Sequence, residues 1–169
     1  MVKIYIIGSS GSGKTYLARK LSKKLNIPFF NLDEIYWETK YSKERSDKEK
    51  KKMLSKIIKE NKSWIIEGVF SSFIDLALKK ADEVIWLDTH KTIVTFRIIK
   101  RYLRNFWKEG ESLKSFFNLL LFARRYKHKT GRYFEHKEKL EKHKIDFILI
   151  KNKKELNEYL KNLFSNSFQ

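Results

Sequence analysis

Eight consecutive residues carry the most legible chemistry of this 169-residue chain: Gly8-Ser9-Ser10-Gly11-Ser12-Gly13-Lys14-Thr15. Their spacing fits G-x-x-x-x-G-K-[ST], a loop whose backbone N–H groups turn inward to face phosphate oxygens. Lys14 is positioned to reach the β- and γ-phosphates of a nucleoside triphosphate, and the Thr15 hydroxyl to hold Mg²⁺. The flanks agree. Residues 2–7 form a β-branched run that reads as a buried strand. Leu17, Ala18, Leu21 and Leu25 then recur at helical spacing. A helix starting there adds partial positive charge facing the phosphates. The expected cofactors are ATP and Mg²⁺.

Phosphoryl transfer asks a protein for position, a divalent cation and positive charge rather than covalent chemistry. Glu67 is the best second oxygen donor for Mg²⁺ and its waters. Asp33 can orient or deprotonate an acceptor hydroxyl, with Trp37 close by as a substrate contact. Asp33 and Asp88 fit equally well as turn residues at strand ends. Positive charge is abundant, at a formal +18. Most of it is Lys interleaved with Glu, the pattern of solvated helix faces. The arginines differ: six of eight, Arg97, Arg101, Arg104, Arg124, Arg125 and Arg132, fall in one stretch. Arg grips phosphate with a planar fork. Arg97, Arg101 and the Arg124/Arg125/Arg132 group are therefore expected to neutralise the moving phosphate, against the alternative of chance clustering and surface ion pairs. None of the four histidines has metal-ligand spacing.

These residues must be positioned by alternating strands and helices. Strands are expected at 2–7, 28–32, 64–66, 83–87 and 145–150, each a continuous apolar run. The first helix ends near Asn26, before Pro28. A lysine-rich helix at 47–61 carries Met53, Leu54, Ile57 and Ile58. A short helix runs to Lys80 from a Ser71 or Ser72 cap. From Thr89 or His90 a helix turns Ile93, Val94, Phe96, Ile99 and Leu103 inward, and residues 105–111 interrupt it. Helices at 112–126, up to His143, and at 155–164 follow; 41–46 read as loop and 165–169 as frayed. Apolar strands alternating with helices specify an α/β fold with a parallel sheet covered on both faces. Ligands bind such sheets at the strands' carboxyl ends, where the loop, Asp33, Glu67, Asp88 and Asn152 all fall.

The length fits one domain, 1–169. Without cysteine there is no disulfide and no thiolate metal site. No stretch resembles a signal peptide or a bilayer span. A soluble, cytoplasmic protein without a membrane partner is expected.

Several ordered pieces carry a family resemblance: Gly8-x-x-Gly11-x-Gly13-Lys14-Thr15; Asn31-Leu32-Asp33 with Trp37; Trp64-Ile65-Ile66-Glu67-Gly68; 81–88, Ala-Asp-Glu-Val-Ile-Trp-Leu-Asp; and Arg97 with Arg101. The chain resembles the small P-loop kinases of the adenylate kinase group, nearest to the adenylate-kinase-like branch called DNA-topology-modulation proteins. The matches are dense to about residue 105, loose to 140 and return at 145–160. The resemblance implies a three-layer P-loop nucleoside-kinase fold with five parallel strands in the order 2-3-1-4-5. It also implies a helical lid at about 105–132. It puts Arg97 and Arg101 on the ATP side, and the Asn152 segment near adenine. Adenylate kinases use arginines to grip the AMP phosphate where Ser71 and Trp37 stand here, so both acceptor clamps look absent.

The leading expectation is an ATP-dependent phosphotransferase with a small-molecule or nucleotide acceptor. The alternative is a nucleotide-binding regulatory or DNA-topology-modulating protein that binds nucleic acid weakly and non-specifically through its lysines. ATP hydrolysis without an acceptor is the third reading.

Overall fold

The computed structural model describes residues 1–39, 43–109, 113–127 and 131–165. Its sheet begins with β1, Lys3–Gly8, whose side chains alternate between two faces. Ile4 and Ile6 enter one core; Tyr5 and Ile7 enter the other. All four are fully buried. β1 pairs in parallel with β5, Trp64–Gly68, and with β6, Glu83–Leu87. β2, Phe29–Asn31, extends the sheet beyond β5, and β7, Ile148–Ile150, extends it beyond β6. The order is β2-β5-β1-β6-β7. A small hairpin accounts for the numbering: among the five core strands alone, this is the expected second-third-first-fourth-fifth.

The helices cover both faces. α1, Lys14–Leu25, contributes Leu17 and Leu21 to the Ile4/Ile6 side, with Leu160 of α8, Lys153–Ser165. The opposite side takes Ile35 from α2, Leu32–Tyr36, and Leu54 from α3, Asp47–Glu60. It is completed by Ala77 and Leu78 of α4, Asp75–Lys80, and Leu140 of α7, Arg132–Lys142. α3 starts on a full capping box between Ser46 and Glu49, which satisfies two donors at its first turn.

The segment after β2 is more ordered than expected. Where 41–46 read as loop, β3, Trp37–Thr39, pairs antiparallel with β4, Lys43–Glu44. Residues 40–42 lie outside the described residues. Arg45 is the reason: its guanidinium donates to the carbonyls of Glu34 at 2.8 Å and Ile35 at 3.1 Å, and to that of Trp37. It closes the end of α2 and pulls the second arm back. Lys50 reinforces this from α3. Its ammonium is buried 4.5 Å from the Tyr36 ring and pairs with Glu44 at 2.6 Å and Asp47 at 2.7 Å.

α5, Lys91–Glu109, departs most from the sequence reading. It does not break at 105; the helix continues to Glu109, and 110–112 are outside the described residues. Nor does it turn all its apolar residues inward. Val94 and Ile98 are buried, whereas Ile93, Phe96, Ile99 and Leu103 are exposed, Phe96 by 65%. The helix packs on the phosphate loop by one narrow face: a Cβ on Gly11 would meet Ile98 Cγ1 at 3.0 Å and the Val94 carbonyl at 3.2 Å. Apolar residues surround α5, so periodicity could not select which face is covered. α6, Leu113–Arg125, packs beside it, with Tyr102 and Phe116 rings 4.4 Å apart.

Denaturant unfolding should separate the two faces of α5. Ile98→Ala is expected to cost about 2–5 kcal/mol, and Phe96→Ala no more than about 0.5 kcal/mol. Equal losses would mean that Phe96 is core.

Candidate active site

The loop between β1 and α1 turns at Gly11, φ 80°, and Gly13, φ 106°. Both lie in the region that L side chains avoid, which is why the motif needs glycine there. Gly8, Ser9, Ser10 and Ser12 complete the loop; Ser12 N–H donates back to the Ser9 carbonyl at 3.2 Å. Lys14 opens α1, and its buried ammonium donates to the Ser9 carbonyl at 2.9 Å, spanning the loop where phosphate would lie. Burial lowers the Lys14 pKa and Arg101 lowers it further, while Glu67 and Asp33 oppose the shift. A phosphate would add the negative charge that this ammonium needs.

Thr15 and Glu67 meet at the head of the loop. The Thr15 hydroxyl donates to Glu67 Oε1 at 2.8 Å. Parallel pairing puts Glu67, in β5, beside Ile6 of β1 and Asn31 of β2. Glu67 is 2% exposed, and burial raises its pKa, against Lys14 and the Thr15 hydroxyl, which lower it. A hydroxyl and a buried carboxylate at this spacing are hard oxygen donors of the kind that suits Mg²⁺. Among the described residues no group of three or more His, Cys, Asp and Glu could hold a metal ion. A Mg²⁺ here would therefore complete its shell with phosphate oxygens and water.

Of the arginines expected near the donor, Arg97 reaches the loop itself. Its Nη1 donates to the Ser12 carbonyl at 2.7 Å, and the Thr89 hydroxyl shares that acceptor at 3.1 Å. Arg101, one turn on, is near enough for its charge to act on Lys14. Arg124 and Arg125 are exposed at the end of α6. Lys127 just beyond them pairs with Asp88 at 2.6 Å, tying that segment to the end of β6. Two short parts of the expected lid, 110–112 and 128–130, lie outside the described residues. Asn152 caps α8 through a 3.0 Å bond from the Glu155 N–H, so its side chain is engaged in the helix start.

Asp33 stands in the first turn of α2, which Asn31 caps by accepting from the Asp33 N–H at 2.8 Å. Its charge acts on both Lys14 and Glu67. Trp37, at the end of α2, meets Tyr36 edge-on at 4.8 Å; Tyr36 stacks on Phe70 at 4.0 Å. The loop after β5 thereby gains an aromatic wall.

Arg132, expected at the moving phosphate, comes from α7 onto the loop after β5 and pairs with Glu135 at 3.6 Å. Arg132 Nη1 donates to the Ser71 hydroxyl at 2.9 Å, at the position where an arginine looked missing. The Ser71 hydroxyl in turn donates to Glu135. Sequence separation hid this: Arg132 and Ser71 are 61 residues apart. Arg45 is committed to the α2 carbonyls.

His136 is a buried pin between α7 and this loop. Its Nε2 bonds the Phe70 carbonyl at 3.1 Å, so that nitrogen carries the proton; Nδ1 accepts from the Tyr126 hydroxyl at 3.4 Å. Burial first, then the charges of Lys14 and Arg132, push its pKa down to about 4, against the Phe70 carbonyl. A folded pKa below the ordinary 6.5 means that unfolding takes up a proton in that window. The stabilising contribution is whole above pH 6.5 and is lost as pH falls toward about 4. At about 1.4 kcal/mol per unit the loss approaches about 3 kcal/mol. Melting of wild type and His136→Gln across this window should show the wild type losing more stability than the variant. Parallel losses would refute a buried neutral histidine.

Comparison with known proteins agrees with this architecture. The family model described as an AAA domain matches residues 4–113, more than half of the chain. The uncharacterized protein YqaC of Bacillus subtilis (strain 168) is 31% identical over 106 residues, covering 63% of this chain and 60% of that protein. The similarity thus spans less than two thirds of that relative's length. Shikimate kinase from Acinetobacter baumannii, in complex with shikimate, matches with a TM-score of 0.58 at 16% identity, over 100% of this chain and 96% of that one. Shikimate kinase from Bacteroides thetaiotaomicron gives 0.53 at 16% identity, over 99% of each chain. At that identity the likeness is one of fold, a kinase-like P-loop α/β fold. It is coarser than the adenylate kinase group and its topology-modulation branch. The chain belongs to the AAA domain family.

Proposed function

We propose that the protein is an ATP-dependent, Mg²⁺-requiring phosphotransferase acting on a small acceptor that bears both a hydroxyl and a negative group. One observation carries this reading: there are two separate cationic stations, one on the phosphate loop and one on the loop after β5, where Arg132 also pairs with Glu135 at 3.6 Å. Lys14, Arg97 and the loop form the first, on the donor side. Arg132 against Ser71 forms the second. Hydrolysis alone needs only the first station. A second, held by a buried histidine and backed by aromatic rings, suits a bound organic anion. The fold shared with two shikimate kinases, one of them bound to shikimate, is consistent with a small hydroxylated acid.

In this reading Thr15 and Glu67 would hold Mg²⁺, which would supply charge neutralisation at the triphosphate. Lys14 and the loop N–H groups fix the β- and γ-phosphates. Asp33 takes the proton of the acceptor hydroxyl, whose oxygen bonds to the γ-phosphorus as the bridging P–O bond breaks and ADP leaves. Arg132 holds the acceptor's anionic end, and Trp37 covers its apolar face.

AMP is expected to be a poor acceptor. Only one of two expected guanidinium clamps has a replacement, and a missing charge-assisted contact costs about 1.5–3 kcal/mol, roughly one to two powers of ten. Steady-state assays with ATP and Mg²⁺ should compare AMP, nucleosides and hydroxylated carboxylic acids. Turnover of a hydroxy acid or nucleoside that rises in KM in Arg132→Ala is the expected result. An AMP kcat/KM within the usual enzyme range of about 10⁴–10⁸ M⁻¹s⁻¹, or ATPase activity that no acceptor stimulates, would contradict it.

A further inference from the structure

We propose that the α5–α6 pair is a docking surface for an anionic lipid bilayer. The apolar residues that α5 was expected to bury are the starting point. Phe96 and Leu103 are exposed by 65% and 54%. On α6, Leu113, Phe117 and Leu121 recur every four residues, a single helical stripe, and are exposed by 60%, 55% and 50%. The two helices touch through Tyr102 and Phe116, outside these stripes. So much aliphatic and aromatic surface on adjacent helices marks an interaction site.

Three occupants could cover it, and geometry and charge decide among them. Closure over the nucleotide is disfavoured. Val94 and Ile98 face the phosphate loop, and at 100° per residue Phe96 and Leu103 project from the far side of α5. A second copy is disfavoured by repulsion: residues 91–127 hold ten basic and two acidic side chains, within a chain of net charge +18. An anionic surface is complementary to both features. Basic residues, Lys100 and Arg104 on α5 and Arg124 and Arg125 on α6, border apolar stripes, as in helices that lie in a bilayer interface. Nucleic acid would match the charge but not exposed Leu and Ile, which offer nothing to a phosphate backbone or a base plane. No helix among the described residues is long and apolar enough to cross a membrane, so the contact is peripheral.

The test is sedimentation of the full chain with vesicles of phosphatidylcholine alone or mixed with phosphatidylglycerol. Each basic residue near an anionic surface contributes about 1 kcal/mol, so the mixed vesicles should bind at least about tenfold more protein. The Phe96→Ser/Phe117→Ser double variant, with unchanged melting and ATP binding, should lose most of that binding. Lys100→Glu/Arg104→Glu should abolish the preference for anionic lipid. Equal binding to both vesicles, or none to either, would overturn the proposal. So would a dimer dissolved by the serine substitutions, or duplex DNA binding that those substitutions weaken.

Discussion

Two opposite charges are kept out of water at the carboxyl end of this sheet, and most of the structure around them follows from that. Lys14 is 8% exposed and Glu67 2% exposed, on adjoining elements. Each is penalised by burial, in opposite directions, and each partly relieves the other. Burying an ion costs several kcal/mol unless partners surround it. The Ser9 carbonyl and the Thr15 hydroxyl are those partners. The loop glycines, the start of α1 and the packing of α5 on Gly11 all serve to hold this arrangement shut against water.

Polar contacts also fasten α7. It lies far along the chain, yet Arg132 and Glu135 meet Ser71 and His136 meets the Phe70 carbonyl on the loop after β5, while Lys139 pairs with Asp75 of α4 at 2.6 Å. His143 adds a second contact to Asp75 at 3.0 Å. The neutral His136 makes this joint possible, because a third cation beside Arg132 and Lys14 would be repelled. The element carrying Arg132 is thus fastened by polar contacts as well as by apolar packing.

The strands and the phosphate loop were legible in sequence because each rests on local chemistry: β-branched runs, a motif with fixed glycine spacing, and strand-end acids. The strand order came from the family resemblance, and the Asn31 and Ser46 caps were not read. What escaped depends on distance or on context. The Arg132–Ser71 contact joins residues with no shared pattern. Lys50 reads as one of several lysines in a polar helix, although it is buried against Tyr36 and Phe73. On α5 the apolar residues ring the helix, so the pattern implied more burial than the fold provides. Arg45 turned out to shape a hairpin because carbonyls at the end of α2 lack partners, a need invisible until α2 itself is placed.

The dependence of ATP affinity on Mg²⁺, measured by calorimetry in wild type and in Glu67→Gln, addresses the central pair most directly. A buried carboxylate whose charge is disfavoured by its surroundings is poised to accept a cation. Wild type should bind ATP more tightly with Mg²⁺ than with a chelator, and Glu67→Gln should keep ATP binding while losing most of that difference. Wild-type affinity that is indifferent to Mg²⁺, or a Glu67→Gln variant with the full Mg²⁺ effect, would contradict the account.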